Sequence, residues 1–210
     1  MKKLLIVGAG GFGREAWGMA LESLGYGSEF KVKGFLDAKA DALDAFAGYP
    51  PVVGDPATYV PQEGDVFITA LGSISARRRC VAALEGKGAE FATLVHRSAF
   101  LGPNVTVGEG SLIAPGVSLT ADVMVGRHAD IFHNTSVGHD SQIGDFAHIY
   151  AQCAIGGGVK VGSGASVYPG SVVVPRRRIG EDSTVGAGSC VFLDVPSATT
   201  VHGNPAAPVE

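Results

Sequence analysis

The second half of the chain repeats every six residues. From Leu101 to Val191 a Leu, Ile or Val stands at every sixth position, sixteen times without an exception. This period fits neither an α-helix, whose buried face repeats every three or four residues, nor an alternating strand. It is typical of a parallel β-helix, in which three hexads form one triangular coil and the repeated aliphatic side chain points inward. The pattern predicts about five coils over residues 99–195.

Two neighbouring positions keep the same period. A small residue usually stands two positions before the aliphatic one, and a glycine often follows it directly. The glycines that recur every eighteen residues, once per coil, are Gly108, Gly126, Gly144, Gly162 and Gly180. Arg177 occupies a small-residue position. We expect its turn to bulge out of the prism, because burial of an unpaired guanidinium is costly; the alternative is an anion that holds the charge at the surface.

Residues 1–98 have a different pattern, in which apolar runs alternate with two helix-compatible stretches. This alternation predicts a small α/β, Rossmann-like domain with a parallel sheet, and we place its end near Ser98. The tail, residues 196–210, contains Pro196, Pro205 and Pro208. Because proline cannot donate to a ladder, we expect the tail to leave the β-helix and to fold back or fray.

Charge and cysteine content exclude several classes of function. A formal net charge of -4 gives nucleic acid and anionic membranes no general attraction. Cys80, Cys153 and Cys190 are an odd number without metal-ligand spacing, which argues against a disulfide framework and favours the cytoplasm. The apolar start of the chain is interrupted at Gly8, so we interpret it as a strand rather than a signal peptide.

A glycine-rich loop stands between the first predicted strand and helix. Residues Gly8 to Gly13 form a G-x-G-x-x-G motif, which brings backbone N–H groups close to phosphates at a helix N-terminus. Asp37 ends the second predicted strand, where an acid could accept a hydrogen bond from a ribose hydroxyl. A nicotinamide dinucleotide, a single nucleotide and a tight turn without ligand remain open, and the small domain fits a single nucleotide best.

Four of the six histidines fall within residues 128–148. His128 and His133 have the five-residue spacing of the zinc ligands in γ-class carbonic anhydrases. However, the position two coils before His128 is Ala92, so we do not expect a metal site. Cys153 stands at an inward small position, where packing is favoured over a role as nucleophile.

His139 is the histidine best placed for proton transfer. It follows the inward Val137 by two residues and precedes Asp140, so an outward imidazole has a carboxylate beside it. This arrangement suits a general base, with an ordinary surface histidine as the alternative. His148 is also predicted to face outward.

The chain resembles a known family over nearly its whole length. The segments that carry the resemblance are Val137 to Asp140, Gly8 to Glu15, Gly34 to Asp37 and Gly203 to Ala206. Together they resemble bacterial sugar acyltransferases of the sialic-acid O-acetyltransferase type, which include nucleotide-sugar N-acetyltransferases. The resemblance implies a left-handed β-helix, a homotrimer and acetyl-CoA bound between neighbouring prisms.

The resemblance also assigns roles to individual residues. His139 would be the base and Asp140 its orienting partner. His148 would lie beside the acetyl thioester, and Pro169 and Ala187 would line the CoA channel. The residues implied to bind the nucleotide sugar are Gly10, Gly11, Phe12, Asp37 and Gly72.

We therefore expect direct acetyl transfer from acetyl-CoA to the amino group of a nucleotide-linked amino sugar, without a metal, in glycan biosynthesis. The alternatives are O-acetylation of a sugar hydroxyl, a non-catalytic nucleotide-sugar or NAD sensor, and a zinc enzyme. Residues 99–210 carry five basic and nine acidic residues. A polyanion such as CoA therefore needs local cations there, and Arg176 to Arg178 are the first candidates.

Overall fold

A computed structural model describes residues 1–209 and divides the chain into two compact units. The first is Met1–His96, and the second begins at Arg97. An α/β unit with a parallel sheet is followed by a left-handed β-helix, which confirms the predicted fold class. Within residues 1–209, neither of the two helices is long and apolar enough to cross a membrane.

The first unit is built on a five-stranded parallel sheet with the order β3-β2-β1-β4-β5. Its strands are β1 (Lys2–Val7), β2 (Phe30–Leu36), β3 (Val52–Gly54), β4 (Asp65–Thr69) and β5 (Glu90–Phe91), and a short β6 (Leu94–Val95) follows. Helix α1 (Gly11–Leu21) follows β1, and helix α2 (Ile74–Glu85) follows β4. The central strands β1 and β4 are almost continuously buried, as expected for a parallel sheet covered on both sides.

The second unit has three faces of short parallel strands. The first face contains β7 (Phe100–Leu101), β10 (Ser118–Leu119), β13 (Ser136–Val137), β16 (Ala154–Ile155), β19 (Val172–Val173) and β22 (Cys190–Val191). The second face contains β8 (Thr106–Val107), β11 (Met124–Val125), β14 (Gln142–Ile143), β17 (Lys160–Val161) and β20 (Arg178–Ile179). The third face contains β9 (Leu112–Ile113), β12 (Asp130–Ile131), β15 (His148–Ile149), β18 (Ser166–Val167), β21 (Thr184–Val185), β23 (Thr200–Gly203) and β24 (Ala206–Pro208).

The repeated aliphatic side chains form the core of the prism. From Ile113 to Val191 every one of them is buried, and those of successive coils are ladder partners, as Leu119 and Val137 are. Only Leu101 and Val107, in the open first coil, retain substantial exposure. The six-residue period therefore predicted the inward positions correctly.

The corners of the prism obey a second six-residue period, which was not predicted from the sequence. A residue with a left-handed backbone recurs there, from Asn104 (φ 57°) through Asp122 and Asp140 to Gly188 (φ 66°). Asn, Asp and Gly tolerate this conformation best, which explains their frequency at these positions. Several other residue types also occupy the corners, so composition alone did not reveal the period.

The glycines after the aliphatic residues have a different role, because the coils approach each other closely there. A Cβ atom on Gly144 would lie 2.6 Å from the backbone nitrogen of Ser163 and 2.7 Å from the carbonyl carbon of Gly162 in the next coil. A side chain at this position would therefore collide with backbone.

Two expectations about the C-terminal coils were wrong. The turn at Arg177 does not bulge, because Lys160 N–H donates to the Arg177 carbonyl at 2.9 Å in regular register. The Arg177 guanidinium instead reaches outward to Asp194, with Nη1 3.7 Å from Oδ1. The tail does not leave the ladder at once, since β23 pairs in parallel with β21.

The ladder resumes after the prolines because the last coil is shorter. Thr200 pairs with Thr184, sixteen residues before it, whereas earlier partners are eighteen residues apart. After β23 the chain does fold back, as β24 runs antiparallel to it.

Candidate active site

His139 and Asp140 lie at one edge of the prism, between the first and second faces, which we call the His139 edge. The imidazole Nδ1 is 2.7 Å from the Asp140 Oδ2, and both side chains are about two-thirds exposed. Asp140 has a left-handed backbone (φ 60°), which is the corner conformation of this fold. Because a carboxylate only accepts hydrogen bonds, this contact favours the Nδ1–H tautomer of a neutral ring, in which Nε2 has a free lone pair. The geometry thus gives an accessible base with an oriented ring.

Gly157, in the next coil, lies under this ring and was not singled out from the sequence. A Cβ atom there would lie 2.7 Å from Nε2 and 2.9 Å from Cε1 of His139. The His139 carbonyl also accepts a hydrogen bond from Gly158 N–H at 2.7 Å. The run of three glycines at 156–158 was the available signal, because it lies one coil beyond His139.

His148 lies on the third face, which is opposite the His139 edge. Its ring stacks between Phe132 and Tyr150, with centroid distances of 4.9 and 4.3 Å. Its Nδ1 is 3.7 Å from the Asp130 Oδ2, and the residue is 2% exposed. The side chain leaves the prism as predicted, but it is buried. One chain therefore does not bring His139 and His148 together.

Pro169 and Ala187 lie at a different edge, between the third and first faces, which we call the Pro169 edge. They occupy successive coils, since Gly188 N–H donates to the Pro169 carbonyl at 2.9 Å, and both are exposed. The predicted CoA-lining residues and the predicted base thus flank the first face from its two sides.

The first face itself is uncharged. Its outward side chains are Phe100, Ser118, Ser136, Ala154, Val172 and Cys190. Two of these, Phe100 and Val172, are large apolar residues that are 58% and 40% exposed. Such a flat surface of small and apolar side chains is suited to packing against another prism.

In the first unit the predicted nucleotide-binding residues lie at the carboxyl ends of parallel strands. The loop from Gly8 joins β1 to α1, Asp37 directly follows β2, and Gly72 lies in the loop after β4. In open α/β sheets, ligands bind in the crevice at these ends. The structure therefore brings this part of the predicted site together.

The glycine loop has the geometry of an anion site. Gly8 has a left-handed backbone (φ 102°), and a Cβ atom on Gly13 would collide with the Gly8 carbonyl oxygen. Gly10 is the N-cap of α1, where no side chain caps the helix, and Gly10 and Gly11 are exposed while Phe12 is half-buried. Helix N–H groups that no side chain caps favour phosphate at this end.

Asp37 also shapes this loop. One carboxylate oxygen accepts a hydrogen bond from Ala9 N–H at 2.8 Å, and the other accepts one from Lys39 N–H at 2.9 Å. The carboxylate therefore fixes the loop against the end of β2 in addition to any contact with a ribose.

The alternative sites have no support in the geometry. Among residues 1–209, no three His, Cys, Asp or Glu side chains are grouped as metal ligands. His128 stacks on Phe146 at the edge between the second and third faces, whereas His133 lies at the Pro169 edge. Burial raises the pKa of the Cys153 thiol to about 11, so it stays protonated and is a poor nucleophile.

Known protein families match both units of the chain. Residues 3–84 match the PglD N-terminal domain family, and residues 90–189 match the GMPPB C-terminal domain family. A comparison with curated proteins gives no significant match.

Several solved structures are similar over the whole chain. PerB from Caulobacter crescentus, in complex with CoA and GDP-perosamine, is 30% identical, with 100% of this chain and 98% of that chain covered and a TM-score of 0.87. The acetyltransferase domain of PglB from Neisseria gonorrhoeae is 26% identical over 100% of both chains, with a TM-score of 0.88. Its complex with acetyl coenzyme A is 27% identical over 99% of both chains, with a TM-score of 0.88.

Proposed function

Because this chain belongs to the hexapeptide-repeat family of nucleotide-sugar acetyltransferases, we propose that it acetylates the amino group of a nucleotide-linked amino sugar. Acetyl-CoA is the donor. The observation that carries the proposal is the His139–Asp140 pair, which presents an accessible Nε2 above Gly157. The bound GDP-perosamine and CoA of the similar PerB structure support this choice of acceptor and donor.

In the proposed reaction His139 is the general base. The neutral sugar amine attacks the thioester carbonyl carbon, and Nε2 takes the proton that the amine loses as the new C–N bond forms. Asp140 holds the Nδ1–H tautomer and stabilises the imidazolium. The C–S bond then breaks, and the CoA thiolate takes the proton from the His139 imidazolium and leaves as the thiol. No acyl-enzyme is needed, in line with the protonated, buried Cys153.

The nucleotide sugar is held by the first unit in this proposal. The backbone around Gly10, Gly11 and Phe12 contacts the phosphates at the start of α1, and Asp37 and Gly72 line the same crevice.

The catalytic unit in this proposal is a homotrimer, with a site between neighbouring chains. His139 lies at one edge of the prism, while Pro169 and Ala187 lie at another and His148 lies on the opposite face. A second copy that packs on the uncharged first face can bring its Pro169 edge to the His139 edge of its neighbour. Closed rotational symmetry then repeats the site in each subunit. We place the enzyme in the cytoplasm, where free Cys80, Cys153 and Cys190 remain reduced.

The test compares acceptors that differ in a single group. Purified protein is incubated with acetyl-CoA and pairs of UDP-, GDP- or dTDP-sugars that carry an amino group or a hydroxyl at the same carbon, and thiol release is recorded. We expect release with an amino sugar only, and the variant His139→Ala should lower its rate by about a hundredfold or more. Release with hydroxyl forms alone would show an O-acetyltransferase. Undiminished activity of His139→Ala would remove the base assignment.

A further inference from the structure

The basic side chains of the β-helix are concentrated at one place. Four of the five Lys and Arg residues within 99–210 lie on two neighbouring coils, namely Lys160, Arg176, Arg177 and Arg178. Lys160 and Arg178 are directly paired in the ladder, where like charges destabilise the sheet. The fifth, Arg127, forms an ion pair with Glu109 at 3.1 Å. The cluster is thus not explained by the fold.

Most of this charge is not neutralised within the chain. Arg177 lies near Asp194 and its Nε donates to the Pro175 carbonyl at 3.4 Å. In the part of the chain that the structure describes, the side chains of Lys160, Arg176 and Arg178 have no carboxylate partner. Three cations therefore remain for an external anion, on a unit that is otherwise acidic.

One member of this basic cluster lies on the same edge of the prism as the proposed base. Arg176 lies on the His139 edge two coils further on, since Gly158 N–H bonds to the His139 carbonyl and Arg176 N–H bonds to the Gly157 carbonyl at 2.9 Å. Two coils correspond to about 10 Å along the prism, from a strand spacing of about 4.8 Å. The intervening coil at this edge consists of glycines 156–158, so no side chain separates His139 from Arg176.

Among the described residues, the coils that precede His139 carry no cation at this edge. The edge positions before His139 are Ala121, one coil away, and Pro103, two coils away, and neither is charged. In addition, Lys160 and Arg178 line an open groove of about 710 Å³ on the second face, which Asp145 and Glu181 also line. Two of the cations therefore face this groove, while Arg176 lies on the His139 edge beyond glycines 156–158, which we call the glycine path.

We propose that Arg176, together with Arg178 and Lys160, binds the phosphate groups of CoA. This inference rests on the proposed function, in which the thioester lies at His139. The pantetheine arm separates the thioester from the phosphates, so a thioester at His139 requires an anion site further along the prism. The glycine path leaves room for the arm, and guanidinium groups bind phosphate oxygens with charge-assisted hydrogen bonds.

The test measures binding separately from catalysis. Titration calorimetry with CoA, dephospho-CoA and adenosine 3′,5′-bisphosphate is performed on the wild type, Arg176→Asn, Arg178→Gln and the control Arg127→Gln. Asn is chosen because Arg176 has a left-handed backbone (φ 62°), and Asn104 and Asn134 hold the same conformation in other coils. Thermal unfolding and size-exclusion chromatography show that each variant is folded and assembled.

We expect Arg176→Asn to weaken CoA binding by about tenfold or more, as the loss of a hydrogen bond to a charged group does. Its KM for acetyl-CoA should rise by a similar factor, and Arg127→Gln should bind CoA normally. A smaller loss with dephospho-CoA than with CoA would assign Arg176 to the 3′-phosphate, and an equal loss would assign it to the diphosphate. Unchanged CoA affinity of the double variant Arg176→Asn/Arg178→Gln would overturn the inference.

The two proposals fail in different ways. A wild-type protein that binds CoA through these arginines but acetylates no sugar would leave the inference standing and remove the proposed function. Acetylation with an unchanged KM for acetyl-CoA in the double variant would do the reverse. A wild-type protein without affinity for CoA would overturn both.

Discussion

At the scale of single residues, glycine determines where the proposed base can lie. The ring of His139 rests over Gly157, at a distance that leaves no room for a Cβ atom. The obstructing atoms are the end of a flexible side chain rather than backbone, so a methyl group there would displace the ring without breaking the coil. A substitution at Gly157 should therefore lower catalytic activity and leave the stability of the fold nearly unchanged.

We predict that Gly157→Ala lowers kcat by about tenfold to a hundredfold, because displacing a reacting group by about 1 Å costs about that much. The midpoint of urea unfolding should change little. Gly18→Ala in α1, where a Cβ atom meets nothing within 4 Å, is the matched control and should retain full activity. A Gly157→Ala enzyme with normal kcat would mean that the ring position does not matter for catalysis.

The sequence predicted the proposed base, His139, but not the residue beneath it, Gly157. His139 stood out because Asp140 is its neighbour in the chain, and the six-residue period gave its outward direction. Gly157 is separated from it by a whole coil, so their contact becomes visible only when the coils are stacked. His148 shows the same limit, because its burial between Phe132 and Tyr150 depends on rings from other strands.

At the scale of elements, the glycines that follow inward aliphatic residues allow neighbouring coils to approach closely. At Gly144 a methyl group would meet the backbone at Ser163, which cannot move without distorting the ladder. This differs from Gly157, where a side chain can give way. An alanine substitution should thus lower the stability of the fold at Gly144 but the catalytic activity at Gly157.

For Gly144→Ala we predict a loss of about 1–3 kcal/mol in the free energy of unfolding, the usual cost of overpacking. Urea denaturation followed by circular dichroism measures it. Gln142→Ala, an outward position on the same strand region, serves as the control and should change stability by less than about 0.5 kcal/mol. Equal stability of both variants would show that the coils can separate locally.

The six-residue period predicted the strands of the β-helix correctly but did not predict where the β-helix ends. Every inward residue from Ile113 to Val191 follows the hexad, because each coil has the same length. The last coil is two residues shorter, so β23 rejoins the ladder at Thr200 out of phase with the repeat. A pattern that depends on constant spacing could not reveal this, and the prolines suggested the opposite.

At the scale of the whole molecule, the proposed site needs two copies of the chain. The proposed base and the proposed CoA-lining residues lie on different edges of one prism, so neither edge alone holds both. A variant that loses His139 and one that loses the channel at Ala187 should therefore complement each other.

We predict that co-expression of His139→Ala with Ala187→Trp restores about a quarter of wild-type activity. Random assembly leaves about one interface in four with both an intact base and an intact channel, if the subunits form a closed ring. Each variant alone should be nearly inactive, and sedimentation equilibrium should give the mass of a trimer for all three preparations. Absence of rescue in mixed trimers would place the base and the channel in the same chain.

The antiparallel strand β24 has a consequence for the self-association of the protein. The coils of a β-helix can in principle stack indefinitely. The unpaired backbone groups of the last coil can therefore form hydrogen bonds with a strand of another molecule. β24 covers this edge on the third face, and it does so in the wrong direction for another parallel coil. Pro205 and Pro208 also lack N–H donors. The C-terminal segment thus guards against end-to-end growth into fibres, the self-association to which repetitive sheets are prone.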